Sequence, residues 1–183
     1  ARPAAERGVL DRWLLSELHL AIGQVRGALD GYLVFDAAAR LIELVEAVSN
    51  WWVRRSRARF WAPVGAEGEM PAEKLDAYAT LYETLTTLAR LVAPFVPFFA
   101  EEMYQNLVRD AGVPAAAESV HLADYPEVDP SRVDLRLAEE VAAVRAVVSL
   151  GLSVRAANKL KVRQPLARAD VVCNDGGLVQ RLE

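Results

Sequence analysis

The densest group of chemically active side chains in this sequence lies in a short segment, residues 49–61. The segment holds four arginines within six residues and three of the chain's four tryptophans: Arg54, Arg55, Arg57, Arg59, Trp51, Trp52 and Trp61. A guanidinium donates two parallel hydrogen bonds to a phosphate, and guanidinium and indole groups both stack on unpaired nucleotide bases. Because neighbouring helical residues are rotated by about 100°, the arginines fan around a helix, and we expect one or two to pair with acidic residues. The segment predicts a nucleic-acid contact, with a solvated charged surface around a buried Trp52 as the alternative.

A second basic group lies close to the C-terminus, just before Pro165. It contains Arg155, Lys159, Lys161, Arg163 and Gln164. In an extended segment the period-two spacing of Lys159, Lys161 and Arg163 places them on one face, where they can serve phosphates or base edges. A solvated junction between a helix and a strand is the alternative.

Other signals of chemistry are weak. The sequence has no glycine-rich dinucleotide or phosphate loop and no Gly-x-Ser-x-Gly elbow. Glu118 and His121 have metal-ligand spacing, but the motif occurs once and in a predicted loop, so we take it as coincidence. Glu101 and Glu102 are expected to complement the dipole in the first turn of a helix. Cys173 is expected to be a small buried hydrophobe rather than a nucleophile.

Composition excludes several classes of protein. The 183 residues are 53% hydrophobic and 25% charged, with 25 acidic and 21 basic residues and a net charge of -4. These values exclude wholesale disorder and a uniformly basic nucleic-acid binder. A single cysteine excludes an intramolecular disulfide and fits a reducing compartment. No apolar run approaches the roughly 18 residues that a membrane span requires.

Apolar residues at helical spacing predict three helices in the first half of the chain. The first ends near Gly31, and the second begins at an Asp36 N-cap and runs to Trp61. A loop at residues 63–71 precedes the third helix. The expected buried stripe of the third helix consists of Leu75, Tyr78, Tyr82, Leu85, Leu88 and Val92.

The second half predicts two further helices. Pro97 suits the first turn of the fourth helix, and three phenylalanines beside it are expected to plug the core: Phe95, Phe98 and Phe99. A long loop follows, with an extended piece at residues 120–122. The fifth helix begins near Ser131 and continues through Asn158.

The pattern therefore predicts an all-α bundle of about five helices followed by the start of a second, small domain. One core is expected to contain Leu14, Leu18, Leu44, Val48, Leu85, Phe95 and Leu107. Residues 169–173 predict a strand and residues 174–177 a turn, and this strand has no partner in the chain. We expect a helical domain at residues 1–164 and the truncated start of a small α/β domain at residues 165–183.

Four segments in order resemble the isoleucyl-tRNA synthetase family of class I synthetases. They are Leu-Asp-Arg-Trp-Leu-Leu-Ser at residues 10–16, the arginine segment at 49–61, Ala-Pro-Phe-Val-Pro-Phe at 93–98 followed by Glu101 and Glu102, and Lys-Val-Arg-Gln-Pro-Leu at 161–166. The resemblance is to the helical anticodon-binding domain and spans residues 10–169. Trp52 stands where the family more often has tyrosine, and both are large aromatics.

The resemblance implies a role in a larger enzyme of the cytoplasm. The parent joins isoleucine to its tRNA using ATP with Mg²⁺, and any zinc module lies in missing parts. The family's two ATP-handling motifs do not occur in this sequence, so this part is expected to hold no cofactor and to be non-catalytic. Its expected partners are the tRNA for isoleucine and the missing catalytic, editing and C-terminal domains of the same chain, with no membrane contact.

The tRNA-binding residues expected from the two basic groups share exposed charge or a stacking surface. They are Arg54, Arg55, Arg57, Arg59, Trp51, Lys159, Lys161, Arg163 and Gln164. Because an RNA loop presents unstacked bases, such side chains on a rigid bundle can recognise an anticodon stem-loop. The alternative interpretation is a helical protein-interaction bundle that does not bind RNA. Binding of its partner is not expected to depend strongly on salt concentration.

Overall fold

The computed structural model describes residues 1–65, 68–172 and 176–177, and the described residues contain helices but no β-strand. The α-helices are α1 (Val9–Asp30), α2 (Val34–Glu46), α3 (Arg54–Phe60), α4 (Ala72–Val92), α5 (Pro97–Tyr104) and α6 (Leu135–Ala157). A π-helical segment, Ala47–Val53, joins α2 to α3 without a break, and a second one, Gln105–Arg109, extends α5. The described chain therefore has five continuous helical runs, which confirms the predicted helical bundle.

The chain forms two compact units, residues 1–133 and residues 134–183. The first unit contains α1 to α5, and the second contains α6 and the residues after it. The domain boundary that we expected after residue 164 falls inside the second unit and stays a prediction.

In the first unit, α1 is the central helix. It packs against both α2 and α4, and its apolar face is fully buried. Of the predicted core, Leu14, Leu18, Leu44 and Val48 are buried, as predicted. The other three members, Leu85, Phe95 and Leu107, are only half-buried, and Leu107 packs at the edge of a separate cluster around Tyr104.

The turn after α1 ends that helix in a tight backbone motif. Gly31 caps the helix, as predicted, and the Leu33 N–H donates to the carbonyl oxygen of Ala28 at 2.8 Å. Tyr32 takes the left-handed conformation that this motif requires, with φ 57°. The following helix begins at Val34, so the prediction that Asp36 caps it is wrong: Asp36 lies within its first turn.

The buried face of α4 differs from the predicted stripe. Leu75, Tyr78 and Tyr82 are 38–48% exposed. Leu88 is buried, as predicted, but most of the other side chains on the face turned to the core are short: Ala77, Thr80, Thr84, Thr87 and Ala89, with Leu91 beside them. Thr84 satisfies its hydroxyl within the helix by donating to the carbonyl oxygen of Thr80 at 2.7 Å. A threonine that back-bonds in this way is compatible with burial, because its hydroxyl finds an acceptor within its own helix.

The corner between α4 and α5 also differs from the prediction. Pro97 occupies the first turn of α5, as predicted, but Phe98 and Phe99 are exposed and do not plug the core. The core beneath this corner is filled by Ala93, Ala100, Tyr104, Val108 and Val120.

Glu101 fixes the long loop to α5 rather than complementing the helix dipole. It lies beyond the first turn, which contains no acidic residue. Its carboxylate accepts hydrogen bonds from the Ser119 hydroxyl at 2.8 Å and from the Val120 N–H at 2.9 Å. Burial alone raises the pKa of Glu101, but these donors and the Gln105 amide outweigh burial and hold the pKa below its ordinary value. Residues Val120–Leu122 form a 3₁₀ turn, so the predicted extended piece is wrong.

The second unit is built on α6. This helix begins at Leu135 rather than near Ser131, because the side chain of Asp134 caps it by accepting from the Leu137 N–H at 3.0 Å. Residues 169–172 lie in no strand, and the described part of the chain contains no strand with which they could pair. Cys173 and the first two residues of the predicted turn lie outside the described residues.

His19 connects α1 to the segment before the second unit. Its Nδ1 accepts a hydrogen bond from the Asp129 N–H at 3.1 Å, which requires that nitrogen to be unprotonated. Burial lowers the pKa of His19, and Arg132 acts in the same direction. Asp129 and Glu83 oppose this change but do not cancel it.

One introduced lysine can distinguish the face of α4 that the sequence predicted to be buried from the face that the structure buries. Thr84→Lys places an unpaired ammonium in the core and should lower the free energy of unfolding by about 3 kcal/mol. Leu75→Lys, on the half-exposed face of the same helix, should cost no more than about 1 kcal/mol. Urea unfolding followed by circular dichroism measures both. Equal losses, or a larger loss for Leu75→Lys, would contradict the observed orientation of α4.

The lowered pKa of His19 predicts that the protein becomes less stable as the pH is lowered through neutrality. The unfolded chain takes up a proton near pH 6.5, before the native chain does, so the free energy of unfolding should fall as pH drops from 7.5 through 6.5. His19→Gln keeps an acceptor for the Asp129 N–H and should flatten that slope. Urea unfolding at several pH values checks this, and parallel curves for the two proteins would refute it.

Candidate nucleic-acid interface

Three of the four clustered arginines are exposed on α3. Arg54, Arg55 and Arg57 point away from the core, whereas Ser56 is fully buried. The inward face continues three residues later with Arg59, so the helical repeat separates one arginine from the other three. This outcome agrees with the expectation that not all four can face one ligand.

Arg59 is held by a fully buried carboxylate on α1. Its guanidinium donates to both oxygens of Asp11, at 2.8 Å from Nη1 and 2.5 Å from Nη2. The indole Nε1 of Trp52 donates to the same carboxylate at 3.0 Å. We call this group the Asp11 cluster, and it joins α1, the π-helical segment and α3 through three hydrogen bonds to one side chain.

The Asp11 cluster also fixes the beginning of α4. Arg59 donates from Nε and Nη2 to the carbonyl oxygen of Glu73, at 3.2 and 3.0 Å. The hydrogen bond to Asp11 raises the pKa of Arg59 against the opposing effect of burial, so its charge is permanent. Arg59 therefore has its donors committed within the protein, and its structural role outweighs the predicted RNA contact.

Arg55 and Trp51 form a stacked pair on the outer surface. The guanidinium carbon of Arg55 lies 3.2 Å from the centroid of the Trp51 ring, and Nη1 donates to the Trp51 carbonyl oxygen at 3.3 Å. The pair lies one helical turn apart, at the point where the π-helical segment passes into α3. A flat cation on a half-exposed indole is a preformed platform on which an unpaired base can stack.

Arg54 and Arg57 have no ion pair within the described residues, unlike Arg59. Together with the Arg55–Trp51 pair they form the α3 patch, which consists of Trp51, Arg54, Arg55 and Arg57. Its chemistry is that of an RNA contact: guanidinium groups for phosphates beside an aromatic surface for bases.

The second basic group lies in a structured loop at the end of α6. Arg155 donates from Nη1 to the carbonyl oxygens of Lys161 and Gln164, at 2.9 and 2.8 Å. Lys159 adopts φ 55°, and the Leu160 N–H closes the helix end on the Arg155 carbonyl oxygen at 2.9 Å. The loop is therefore held by its own helix.

The basic side chains of this loop are exposed: Lys159, Lys161 and Arg163, with the amide of Gln164 beside them. The segment turns, because the Gln164 N–H donates to the Lys161 carbonyl oxygen at 3.0 Å. The period-two argument for one shared face therefore does not apply. These residues belong to the second unit, whereas the α3 patch belongs to the first.

A polar cleft between α1 and α4 is the alternative location for a ligand. It has a volume of about 880 Å³ and is partly closed by residues 124–127. Arg26 and Arg90 line it, but so do Glu83, Asp124 and Glu127. Opposite charges in this arrangement give no net attraction for phosphate, so the cleft is a poorer RNA site than the α3 patch.

The described residues meet the requirements of neither a metal site nor a membrane span. Within the described ranges, no group of three His, Cys, Asp or Glu side chains is arranged to hold a metal ion. None of the helices that the structure describes combines the length and apolar character needed to cross a membrane.

Sequence reasoning missed the roles of Asp11 and Arg155. Asp11 lies three and four residues before Leu14 and Leu15, so the helical period already places an acid on the buried face of α1. A buried carboxylate requires a cation and other donors, and this was the available signal. Which donors reach it is a matter of tertiary packing.

The chain is similar to proteins of a known family. Residues 11–172 match the family described as the anticodon-binding domain of tRNA ligase. The chain is 49% identical over 168 residues to an isoleucine–tRNA ligase of Dehalococcoides mccartyi, covering 92% of this chain and 16% of that protein. It is 49% identical over 158 residues to isoleucine–tRNA ligase 2 of Bacillus cereus, covering 86% of this chain and 14% of that protein. It is 46% identical over 170 residues to an isoleucine–tRNA ligase of Streptomyces avermitilis, covering 92% of this chain and 15% of that protein. The chain thus spans about a sixth of the length of these curated relatives.

The Asp11 cluster makes a sharp prediction about stability. Asp11→Ala leaves the Trp52 N–H and a half-buried guanidinium without their acceptor and should lower the free energy of unfolding by about 3–5 kcal/mol. Arg12→Ala removes the exposed neighbour and should change it by less than about 0.5 kcal/mol. Chemical denaturation of both variants measures the difference. A mild effect of Asp11→Ala would show that the cluster does not hold these helices together.

Proposed function

Because this chain belongs to the anticodon-binding domain family of tRNA ligases, we propose that it recognises and positions the anticodon stem-loop of a tRNA for isoleucine. It does so as one domain of a longer isoleucine–tRNA ligase. The observation that carries the proposal is the α3 patch, in which Arg54 and Arg57 are free of ion pairs among the described residues and Arg55 is stacked on Trp51.

The patch combines the two contacts that an RNA loop requires. Arg54 and Arg57 supply exposed cations for the backbone phosphates, and such contacts do not depend on the RNA sequence. Trp51 with Arg55 supplies a flat surface for a splayed base, the mode by which proteins read single-stranded RNA. The rigid support beneath the patch is the Asp11 cluster, since Arg59 and Trp52 anchor α3 and the π-helical segment to α1.

The exposed loop of the second unit is a further contact in this proposal. Lys159, Lys161 and Arg163 add three cations, and Gln164 adds an amide that can both donate and accept. Arg155 keeps this loop folded through its two carbonyl contacts. We assign the loop mainly to the RNA backbone, because three of its four exposed polar side chains are cations and cations bind phosphates of any sequence.

The chemistry of the parent enzyme belongs to other domains in this proposal. Joining isoleucine to tRNA consumes ATP with Mg²⁺, and we place that reaction, editing and any zinc module outside this chain. Discrimination between isoleucine and valine rests on one methylene, worth about 1–3 kcal/mol, so it requires side-chain pockets elsewhere. The task of this domain is to select the tRNA. A cytoplasmic location is part of the proposal and fits the single cysteine.

Two classes of substitution in the α3 patch should affect tRNA binding differently. Arg54→Ala and Arg57→Ala should each weaken tRNA binding equally for all anticodons. Each should also reduce the salt slope, which is the steepness with which log affinity falls with log salt concentration, by about 0.7–0.9 per lost phosphate contact. Trp51→Ala should weaken binding of isoleucine tRNA by about 1–3 kcal/mol and reduce the preference over a tRNA with a swapped anticodon. Fluorescence anisotropy of the full-length ligase at several salt concentrations measures both effects.

Arg109→Ala is the matched control, because it removes the same charge from an exposed position of the first unit outside the patch. It should leave affinity, salt slope and anticodon preference unchanged. If the three patch variants behave like this control while remaining folded, the α3 patch is a solvated surface and the proposed RNA site is wrong.

The 183-residue chain by itself should not activate isoleucine. It lacks the family's two ATP-handling motifs, so no isoleucine-dependent exchange between pyrophosphate and ATP is expected. The full-length ligase, assayed in parallel, should show that exchange. Exchange by the isolated chain, in a preparation free of the full-length enzyme, would overturn the division of labour proposed above.

A further inference from the structure

Trp61 is the most exposed of the four tryptophans. Its side chain is 82% exposed, whereas Trp13 and Trp52 are fully buried. Phe60, its neighbour in the chain, takes the inward position, with its ring centroid 5.8 Å from that of Trp52 and 5.1 Å from that of Tyr78. A single exposed hydrophobic side chain is ordinary, so the role of this indole depends on the surface to which it belongs.

Trp61 lies in line with two arginines of the α3 patch. It ends α3 with its backbone still helical, and its N–H donates to the carbonyl oxygen of Arg57 at 3.2 Å. Arg54, Arg57 and Trp61 are therefore spaced i, i+3 and i+7 along one helix, which places them on one face, and all three are exposed. This outer face of α3 thus carries two cations followed by an open aromatic ring.

The start of α4 holds the backbone on both sides of Trp61. Before it, Arg59 donates to the carbonyl oxygen of Glu73, as described above. After it, the Nζ of Lys74 donates to the carbonyl oxygen of Ala62 at 2.8 Å. The backbone that carries the indole is therefore fixed before a ligand binds, and binding there does not require a loop to become ordered.

The charge around this ring favours RNA over other partners. Residues 49–65 contain four arginines and no acidic residue. Such a surface attracts phosphates, and it disfavours a second copy of itself because arginines would face arginines. An acidic protein segment would satisfy the arginines, but a nucleotide supplies both groups that this face can bind: a phosphate for a guanidinium and a planar base for the indole.

We propose that Trp61 is a second base-stacking residue of the RNA site, at the opposite end of the α3 patch from Trp51. The inference rests on the proposed function, in which the patch binds an anticodon stem-loop. Trp61 follows Trp51 by ten residues, which at about 1.5 Å per residue separates their positions by about 15 Å along the helix. Directly stacked bases advance by only about 3.4 Å, so the two indoles hold two different bases. Arg54 and Arg57 lie between the indoles, where the phosphates that connect these bases pass.

Substitutions of Trp61 in the full-length ligase test the proposal by fluorescence anisotropy with isoleucine tRNA. Trp61→Ala should weaken binding about 5–150-fold, the range for the loss of one stacked base. The salt slope should not change, because the substitution removes no cation. Trp61→Phe keeps a ring on which a base can stack and should retain most of the affinity, whereas Trp61→Leu should behave like Trp61→Ala.

Phe98→Ala is the matched control, since it removes an exposed aromatic ring from α5, outside the α3 patch. It should leave the affinity for tRNA unchanged. Wild-type affinity in Trp61→Ala would overturn the proposal. So would a loss in Trp61→Phe as large as that in Trp61→Ala, because the ring would then contribute something other than stacking.

Isoleucine tRNA that carries a single 2-aminopurine, placed at each anticodon-loop position in turn, locates the two stacked bases. The fluorescence of 2-aminopurine is quenched when it stacks, so Trp61→Ala and Trp51→Ala should each restore the fluorescence of a different loop nucleotide. Recovery at the same nucleotide in both variants would mean that the two indoles hold one base, contrary to the proposal.

Hydroxyl-radical footprinting of the full-length ligase distinguishes RNA from a protein partner. Oxidation of Trp61 should be rapid without tRNA and slow when tRNA is bound. Slow oxidation without tRNA would show that protein already covers the ring, and the proposal would then be wrong.

Failure of this proposal is distinguishable from failure of the proposed function. If Trp51→Ala weakens binding and Trp61→Ala does not, the α3 patch binds RNA and Trp61 has no part in it. If neither of these substitutions nor Arg54→Ala nor Arg57→Ala changes binding, the RNA site itself is wrongly placed and both proposals fail.

Discussion

The carboxylate of Asp11 is the constraint on which the rest of the first unit depends. It is fully buried, and burial of an unpaired charge is unfavourable enough that the surrounding helices are arranged to supply donors. Trp52 approaches from the π-helical segment and Arg59 from α3, and Arg59 continues to the carbonyl of Glu73 at the start of α4. Four helical segments are therefore fixed in relation to one side chain. The same bonds determine that Arg59 faces inward and that the other arginines of α3 face solvent.

The interior of the first unit contains more polar side chains than the spacing of apolar residues in the sequence predicts. Asp76 is also fully buried, and it accepts hydrogen bonds from the backbone and guanidinium of Arg2, at 2.8 and 2.6 Å. Burial raises the pKa of Asp76, but the donors of Arg2 outweigh it and hold the pKa below its ordinary value. Thr80, Thr84 and Thr87 occupy much of the buried face of α4. The carboxylates of Asp11 and Asp76 are tolerated because each accepts hydrogen bonds from a distant part of the chain, and each of these pairings also specifies one arrangement of the segments that it joins.

The α3 patch is a local concentration of positive charge on a chain whose overall charge is negative. Arg54, Arg55 and Arg57 project from α3 and Trp51 from the π-helical segment, so a ligand that binds there does not have to order a loop. The net charge of -4 conceals this patch, because it averages over all 183 residues.

The sequence by itself determined that the chain is helical, where most helices lie, and which family it resembles, because helical periodicity, Gly31, Pro97 and local motifs act over a few residues. It also placed Leu14, Leu18, Leu44 and Val48 in the core correctly. Only the tertiary structure decided that α4 buries threonines rather than Tyr78 and Tyr82, and that Phe98 and Phe99 face outward. It also decided which arginine Asp11 binds. These outcomes depend on how closely helices far apart in sequence approach and on which buried groups find partners, and the spacing of residues along one helix carries neither quantity.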